Sequence, residues 1–528
     1  MLTSSIKSIK DWVQQHPSHA LLLLGCLAKL LIHFLMASRY GFHRDEFLYL
    51  AMGDHLAWGY QSVPPMIGLL GFVSRTLFGD SLLAARIFPA VAGTLSLWLT
   101  GQMLILMGGK SRAMAIMMIA MILSPAFLRS NWLFQPVTFN QLVWVAAGFC
   151  YLQWLKTDRG HWWLWLGGIF GIGILTKYTV LLVAASMVFA TLVSARRGVL
   201  LTRWPWLGGL IAGTIAMPNL VWQITHNFPL LWHMRVLAET QLVYVDHWSF
   251  LMGQLIAHLP VFWVWLGGLI WLLTDSNGRR WRPIGVTALA VVALLLVTNG
   301  KSYYAMGVYP WLFAAGGIAW STWLGKWGRA FRLGGWLWLL GSIIWILPWS
   351  APVLEIHHLS RYGAWMRDKV GFDGPLIWEN GRAYTLPQDF ADMLGWEELT
   401  EGVKKAYDEI PEEARAEVMV FAENYGLAGA ITHLGRKYHL PPAISFHGSF
   451  FYWSPDSISA TALIYVNDEI EDIAPWFGEI RQIDMISDSL AREFGRPVWL
   501  CLDPNPSFWA DWPAVKVRER AERGHAVD

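Results

Sequence analysis

Eleven stretches of about twenty predominantly apolar residues, centred near residues 28, 95, 121, 146, 169, 186, 215, 262, 291, 312 and 343, fill most of the first 352 positions. A helix of that length spans the hydrocarbon of a bilayer with its backbone satisfied internally. The expected fold is therefore a multi-pass α-helical membrane protein with about eleven transmembrane helices. The division between the fifth and sixth stretches, around Lys177, is the least sharply drawn. Charge then changes sign: residues 1–352 hold 24 Lys+Arg and 9 Asp+Glu, whereas residues 353–528 hold 16 and 29. Residues 1–352 are accordingly expected to form a membrane domain and residues 353–528 an acidic, water-soluble one. With only Cys26, Cys150 and Cys501, neither a disulfide framework nor a cysteine metal site is expected.

Basic residues in short loops set orientation. With the N-terminus inside, cytoplasmic segments carry Lys7 and Lys10, Lys110 and Arg112, Lys156 and Arg159, Arg196, Arg197 and Arg203, Arg279, Arg280 and Arg282, and Lys326, Arg329 and Arg332. Eleven crossings then put the tail outside. Two lysines ahead of the first apolar run, without a small-residue cleavage site, suggest an uncleaved first helix.

Two outer loops are long, residues 39–81 and 225–249, and long loops between membrane helices usually carry function. In the first, Phe47, Leu50, Ala51 and Leu56 have helical spacing and predict a helix lying along the membrane surface. The tail alternates strand-like VMVFA, AISF, TALIYV, IRQIDMI and PVWLCLD with the helical pattern NYGLAGAITHLGRKY, which predicts a small α/β domain.

Arg44-Asp45-Glu46 follows the outer end of the first apolar stretch. A carboxylate at the edge of hydrocarbon beside a basic neighbour can accept a proton from a hydroxyl nucleophile. Both acids equally fit the N-terminus of the predicted surface helix. Lys177 and Lys301 fall at the outer boundary, where an ammonium could hold a lipid phosphate or simply snorkel. Lys29, one turn before His33, is an intramembrane lysine with no evident partner. His226, His233, Glu239, Asp246 and His247 in the second loop match no compact metal spacing. No metal or other cofactor is expected to be obligatory, and a divalent metal has no support in the spacing. Most of the 34 Trp fit an interfacial belt, although Trp58, Trp232 and Trp248 could stack on a sugar ring or line an isoprenoid groove. No phosphate-binding glycine loop or nucleotide fingerprint is present, and no nucleic-acid partner is indicated.

At these residues the chain resembles bacterial family-39-type glycosyltransferases, GT-C enzymes related to protein O-mannosyltransferases and the aminoarabinose transferase of lipid A. The likeness runs through YGFHRDEFLYLAMGDHLAWGYQSVPPMIGLL, LFGDSLLAARIFPAVAGTL, GILTKYTVLL, WQITHNFP, GKSYYAMGVYPWLFAAGG, LPQDFADMLGWEEL and FAENYGLAGAI, in that order. It implies transfer of a sugar from a polyprenyl-phosphate carrier to an acceptor hydroxyl on the outer face of the bacterial inner membrane, with inversion. The acceptor would be an envelope lipid, glycan or protein. The resemblance implies Asp45 as general base with Glu46 beside it to position the acceptor. Lys177 and Lys301, with Tyr303 and Tyr304, would hold the carrier phosphate, and Arg44 and His226 would lie near the substrates. Two departures stand out. Where relatives have a second acidic residue at the outer end of the fourth helix, this chain has Gln135, Asn140 and Gln141; and Pro64-Pro65 follow Ser62-Val63 rather than Glu-Lys. The rival expectation from another class is a lipid or solute transporter or flippase, against which no repeated halves are visible.

Overall fold

The computed structural model describes residues 11–325 and 328–522. Lys7, Lys10 and Lys326, used above for orientation, lie outside the described residues, as does the charged end from residue 523 on. The chain folds as two compact units. The first comprises Met1–Ala37, Arg86–Pro218 and Leu242–Val353; the second comprises Ser38–Ala85, Asn219–Gln241 and Leu354–Asp528. The break at 353 follows the charge change, but the long loop at 39–81 and residues 225–241 of the second long loop join the tail in the second unit.

All eleven apolar centres lie in helices. Among the described residues five helices are long and apolar enough to cross a membrane: Pro17–Ala37, Leu82–Leu106, Arg203–Thr225, Arg279–Val297 and Arg332–Ser350. His247–Ile256 and Leu259–Thr274, bent by 70° at a short break, make a sixth if counted together. The remaining five stretches are helical but shorter or more polar. Local breaks shorten some of them: the Ser111–Leu123 helix stops at Ser124-Pro125, and Lys177, in extended conformation, separates Trp162–Thr176 from Val180–Leu192, at the division expected there.

Within the first unit the Phe262–Thr274 and Tyr309–Trp323 helices cross at very close range. A Cβ on Gly316 would overlap the Val264 carbonyl, and one on Gly268 would overlap the Leu312 carbonyl. Lipid offers no hydrophobic drive for helix association, so small residues that admit close backbone contact supply the packing instead. Around them Trp144, Trp311, Phe313 and Tyr309 fill the core.

The second unit is built on a four-stranded mixed sheet of β1 (Val418–Ala422), β2 (Ala462–Val466), β3 (Phe477–Met485) and β4 (Pro497–Pro504), in the order β1-β2-β4-β3. β1 and β2 are parallel, and the other two pairings are antiparallel. AISF contributes only an isolated bridge at Ile444. β2 is buried along its whole length, as expected of a continuous apolar run inside a covered sheet. The predicted first-loop helix is present as Arg44–Asp54. Its apolar side chains do not face lipid: Phe47, Leu50 and Ala51 are buried in protein, Phe47 stands edge-on to Trp396, and a Cβ on Gly429 would lie 2.7 Å from the Phe47 Cβ. Leu56 falls beyond the helix and is exposed.

The close crossing in the first unit yields a direct test. Gly316→Ala should destabilise the detergent-solubilised protein by about 1–3 kcal/mol, as overpacking does, whereas Gly334→Ala, which has open space around it, should be near neutral. Equal thermal midpoints for the two variants would mean the helices do not meet so closely.

Candidate functional site

Three segments distant in sequence assemble around the start of the Arg44–Asp54 helix. His43 and Glu46 close a capping box: Glu46 Oε2 accepts the His43 amide at 2.8 Å, and His43 Nδ1 accepts the Asp45 amide at 3.1 Å. Such a box satisfies amides that the first helical turn leaves without partners. Glu46 is fully buried, and its carboxylate holds this backbone.

Arg44 is buried as well. Its guanidinium lies 4.5 Å from the Tyr425 ring centroid and 4.0 Å from Glu493. Gly426 is needed beside it, because a Cβ there would come within 2.5 Å of the Arg44 Cγ. Tyr425 opens the Tyr425–Leu434 helix, whose N-cap Asn424 accepts the amides of Gly426 and Leu427 and donates to Glu493.

From residue 42 to residue 48 only Asp45 keeps partial exposure. The Tyr425 hydroxyl donates to Asp45 Oδ1 at 2.8 Å. Burial, together with the Asp45 charge, pushes the Tyr425 hydroxyl up, so it remains protonated and serves as a donor. No hydrogen-bond partner for Oδ2 occurs among the described residues.

Behind this turn, His43 Nε2 lies 3.7 Å from Asp392 and 3.9 Å from Asp389, and Arg492 pairs with Asp392 at 3.0 Å. Burial alone would lower the His43 pKa; Asp389, Asp45 and Asp392 outweigh it and push it up to about 9. Both carboxylates face Nε2, so the second proton goes to Nδ1 and displaces the bond from the Asp45 amide: the charged ring and the closed capping box exclude each other.

The first unit gathers a separate group. Lys177 Nζ lies 5.4 Å from the Tyr303 ring centroid and 4.9 Å from that of Tyr304, Lys301 Nζ lies 6.0 Å from Tyr303, and the two tyrosines meet edge to face at 4.7 Å. The break at Lys177 and the start of the Ser302–Val308 turn present these side chains. Two residues beyond Lys177, Thr179 accepts a hydrogen bond from Asn140 at 3.2 Å. Gln141 joins Asn131, Ser130 and Met306. Neutral amides thus occupy the region two residues from Lys177.

The predicted residues therefore fall into three groups. Asp45, Glu46 and Arg44 share one helix start, and Lys177, Lys301, Tyr303 and Tyr304 share one cluster. His226 belongs elsewhere: it stacks on Trp222 at 4.1 Å and meets Tyr452 edge-on, while Asn219 fixes the Trp58 carbonyl at 2.7 Å. Among the described residues, His226, His233, Glu239, Asp246 and His247 form no group of three converging metal donors. Sequence reasoning missed Tyr425 and His43, although FAENYGLAGAI and YGFHRDEF, which contain them, were singled out.

The raised His43 value has a signed consequence for stability. An unfolded histidine titrates near 6.5, so the contribution of its charge is fully present below about 6.5 and is lost as pH rises through about 9. The thermal midpoint of the wild type should fall across that window more than that of His43→Gln. Parallel curves would remove His43 as the cause.

Residues 62–222 match the family described as dolichyl-phosphate-mannose-protein mannosyltransferase. No curated protein sequence matches the chain significantly. Among solved structures, ArnT from Cupriavidus metallidurans in the apo state superposes with a TM-score of 0.63 at 15% identity, covering 93% of this chain and 98% of that one. The same protein bound to undecaprenyl phosphate gives a TM-score of 0.58 at 17% identity over 90% and 97% of the two chains. At such identities the likeness shows the fold alone. The chain thus shares the fold of that ArnT, and its residues 62–222 are similar to the mannosyltransferase family.

Proposed function

We propose that this protein is a membrane glycosyltransferase that moves a sugar from a polyprenyl-phosphate carrier to an acceptor hydroxyl. The observation that carries the reading is Asp45, a half-buried carboxylate oriented through one oxygen by Tyr425 while the groups on either side are buried and engaged. That is the state a general base needs: fixed, accessible and with an oxygen open to a proton. The solved ArnT that holds undecaprenyl phosphate, with its similar fold, supports a carrier of this kind.

In the proposed step the acceptor oxygen forms a bond to the anomeric carbon as its proton passes to Asp45 Oδ2. The bond from that carbon to the phosphate oxygen breaks, and the electron pair leaves with the polyprenyl phosphate. Attack opposite the leaving group inverts the anomeric centre. Lys177 and Lys301, with Tyr303 and Tyr304 beside them, stabilise the phosphate as its charge grows. A phosphate leaves as a stable anion, so the step uses no acid and no metal. Glu46 holds the helix start that aims Asp45. Chemistry on the outer face of a bacterial inner membrane, with residues 353–528 on the same side, is the arrangement favoured by the loop charges.

Transfer of radiolabelled sugar from a polyprenyl-phosphate donor to an envelope acceptor tests the reading. Asp45→Asn should lower kcat by about 10²–10⁴-fold, the usual worth of a positioned base. Tyr425→Phe should cost roughly tenfold, since hydrogen bonds to charged groups contribute about 1.5–3 kcal/mol. Full activity in folded Asp45→Asn protein would exclude the assigned base, and label that crosses the bilayer without changing acceptor would indicate a flippase. Lys177→Ala should weaken binding of the unglycosylated polyprenyl phosphate itself, measured by calorimetry. Unchanged affinity would place the phosphate elsewhere.

A further inference from the structure

Where the tail begins, three side chains with the chemistry of metal ligands converge away from the groups described above. Glu355 Oε2 lies 3.6 Å from His357 Nε2 and 3.8 Å from His358 Nδ1. The two imidazole centroids are 4.0 Å apart, and one donor atom from each of the three residues lies within 4.8 Å of the others. Successive residues on a helix point about 100° apart, so adjacent histidines ordinarily face different ways; here both turn toward one carboxylate. Glu355 occupies the N-cap of the Ile356–Trp365 helix, yet its side chain makes no capping hydrogen bond. The backbone beneath is anchored: Tyr40 donates to the Leu354 carbonyl at 2.5 Å, the Leu359 amide bonds the Glu355 carbonyl at 2.9 Å, and Leu359 is fully buried.

We propose that Glu355, His357 and His358 form a binding site for a borderline divalent transition-metal ion, with Zn²⁺ the best fit. Two imidazoles and a carboxylate are the donor set of zinc sites that keep a fourth position open. Metal–ligand bonds of about 2.0–2.2 Å put the corners of a tetrahedron roughly 3.4 Å apart, close to the 3.6 and 3.8 Å from Glu355 to the two imidazoles, and rotation of the exposed side chains brings all three donors, now within 4.8 Å, to that spacing. Imidazole selects against Ca²⁺ and Mg²⁺, which take oxygen ligands. All three side chains are exposed, so the fourth position faces solvent and takes water or an anionic ligand. The site stands apart from the sugar-transfer reading and does not depend on it.

The test is a calorimetric titration of the full-length, chelator-stripped protein in detergent with Zn²⁺ alone. The chain has 16 histidines, so the decisive quantity is the difference between variants. The wild type should bind one zinc more than the His357→Ala/His358→Ala double variant, and Glu355→Gln should bind that zinc about tenfold more weakly, in the manner of a lost ligand. Excess Mg²⁺ should not displace it. His357→Gln alone provides a milder second variant, and melting in chelator verifies that each protein is folded. Equal zinc stoichiometry and affinity in wild type and double variant, or displacement by Mg²⁺, would overturn the assignment.

Discussion

The Arg44–Asp54 helix begins where water is almost excluded, and that constraint governs the second unit. Every helix starts with amides that lack intrahelical partners, and leaving such groups buried and unmade costs about 1–3 kcal/mol apiece. Here His43 and Glu46 supply the partners. The charges of this turn need partners of their own: Asp392, itself paired with Arg492, faces His43, and Glu493 lies near Arg44. Once these demands are met, Asp45 is the acidic residue of the turn that still reaches solvent. Its exposure is thus a by-product of how completely its neighbours are engaged, and the tail supplies most of the groups that engage them.

That dependence explains why the first loop groups with the tail. Phe47 packs against Trp396 and the Gly429 position, Gly41 approaches the Met393 carbonyl, and the Arg44 amide bonds the Asp392 carbonyl at 2.9 Å. An eleven-residue helix is marginal on its own in water. It is stabilised by the apolar face it shares with the Tyr425–Leu434 helix, so a sequence segment that reads as a loop behaves as part of a core.

The parts legible in sequence were those with a local signal. A lysine inside an apolar stretch is conspicuous, which identified Lys177 and Lys301; the alternation of apolar residues located β1 to β4; and three charged residues after an apolar run located Asp45. What stayed hidden depends on pairings across the chain. Tyr425 meets Asp45 over 380 positions, and no periodicity encodes that. Glu46 was ambiguous between cap and chemistry because both ask for an acid at the start of a helix, and only the bond to the His43 amide separates them. The bundle and its break at Lys177 were legible, but the 70° bend between His247–Ile256 and Leu259–Thr274 was not, because an averaged apolar window runs through it unchanged.

The cluster in the first unit shows why the break at Lys177 is useful. Aromatic faces attract cations through their quadrupole, by about 0.5–2 kcal/mol, without cancelling charge as a carboxylate would. Tyr303 and Tyr304 can therefore steady Lys177 and Lys301 through their ring faces. Asn140 and Gln141 act in the same direction, because they satisfy Thr179, Ser130 and Asn131 with neutral amides and add no negative charge. On the proposed reading, that neutrality favours the hold on a phosphate leaving group.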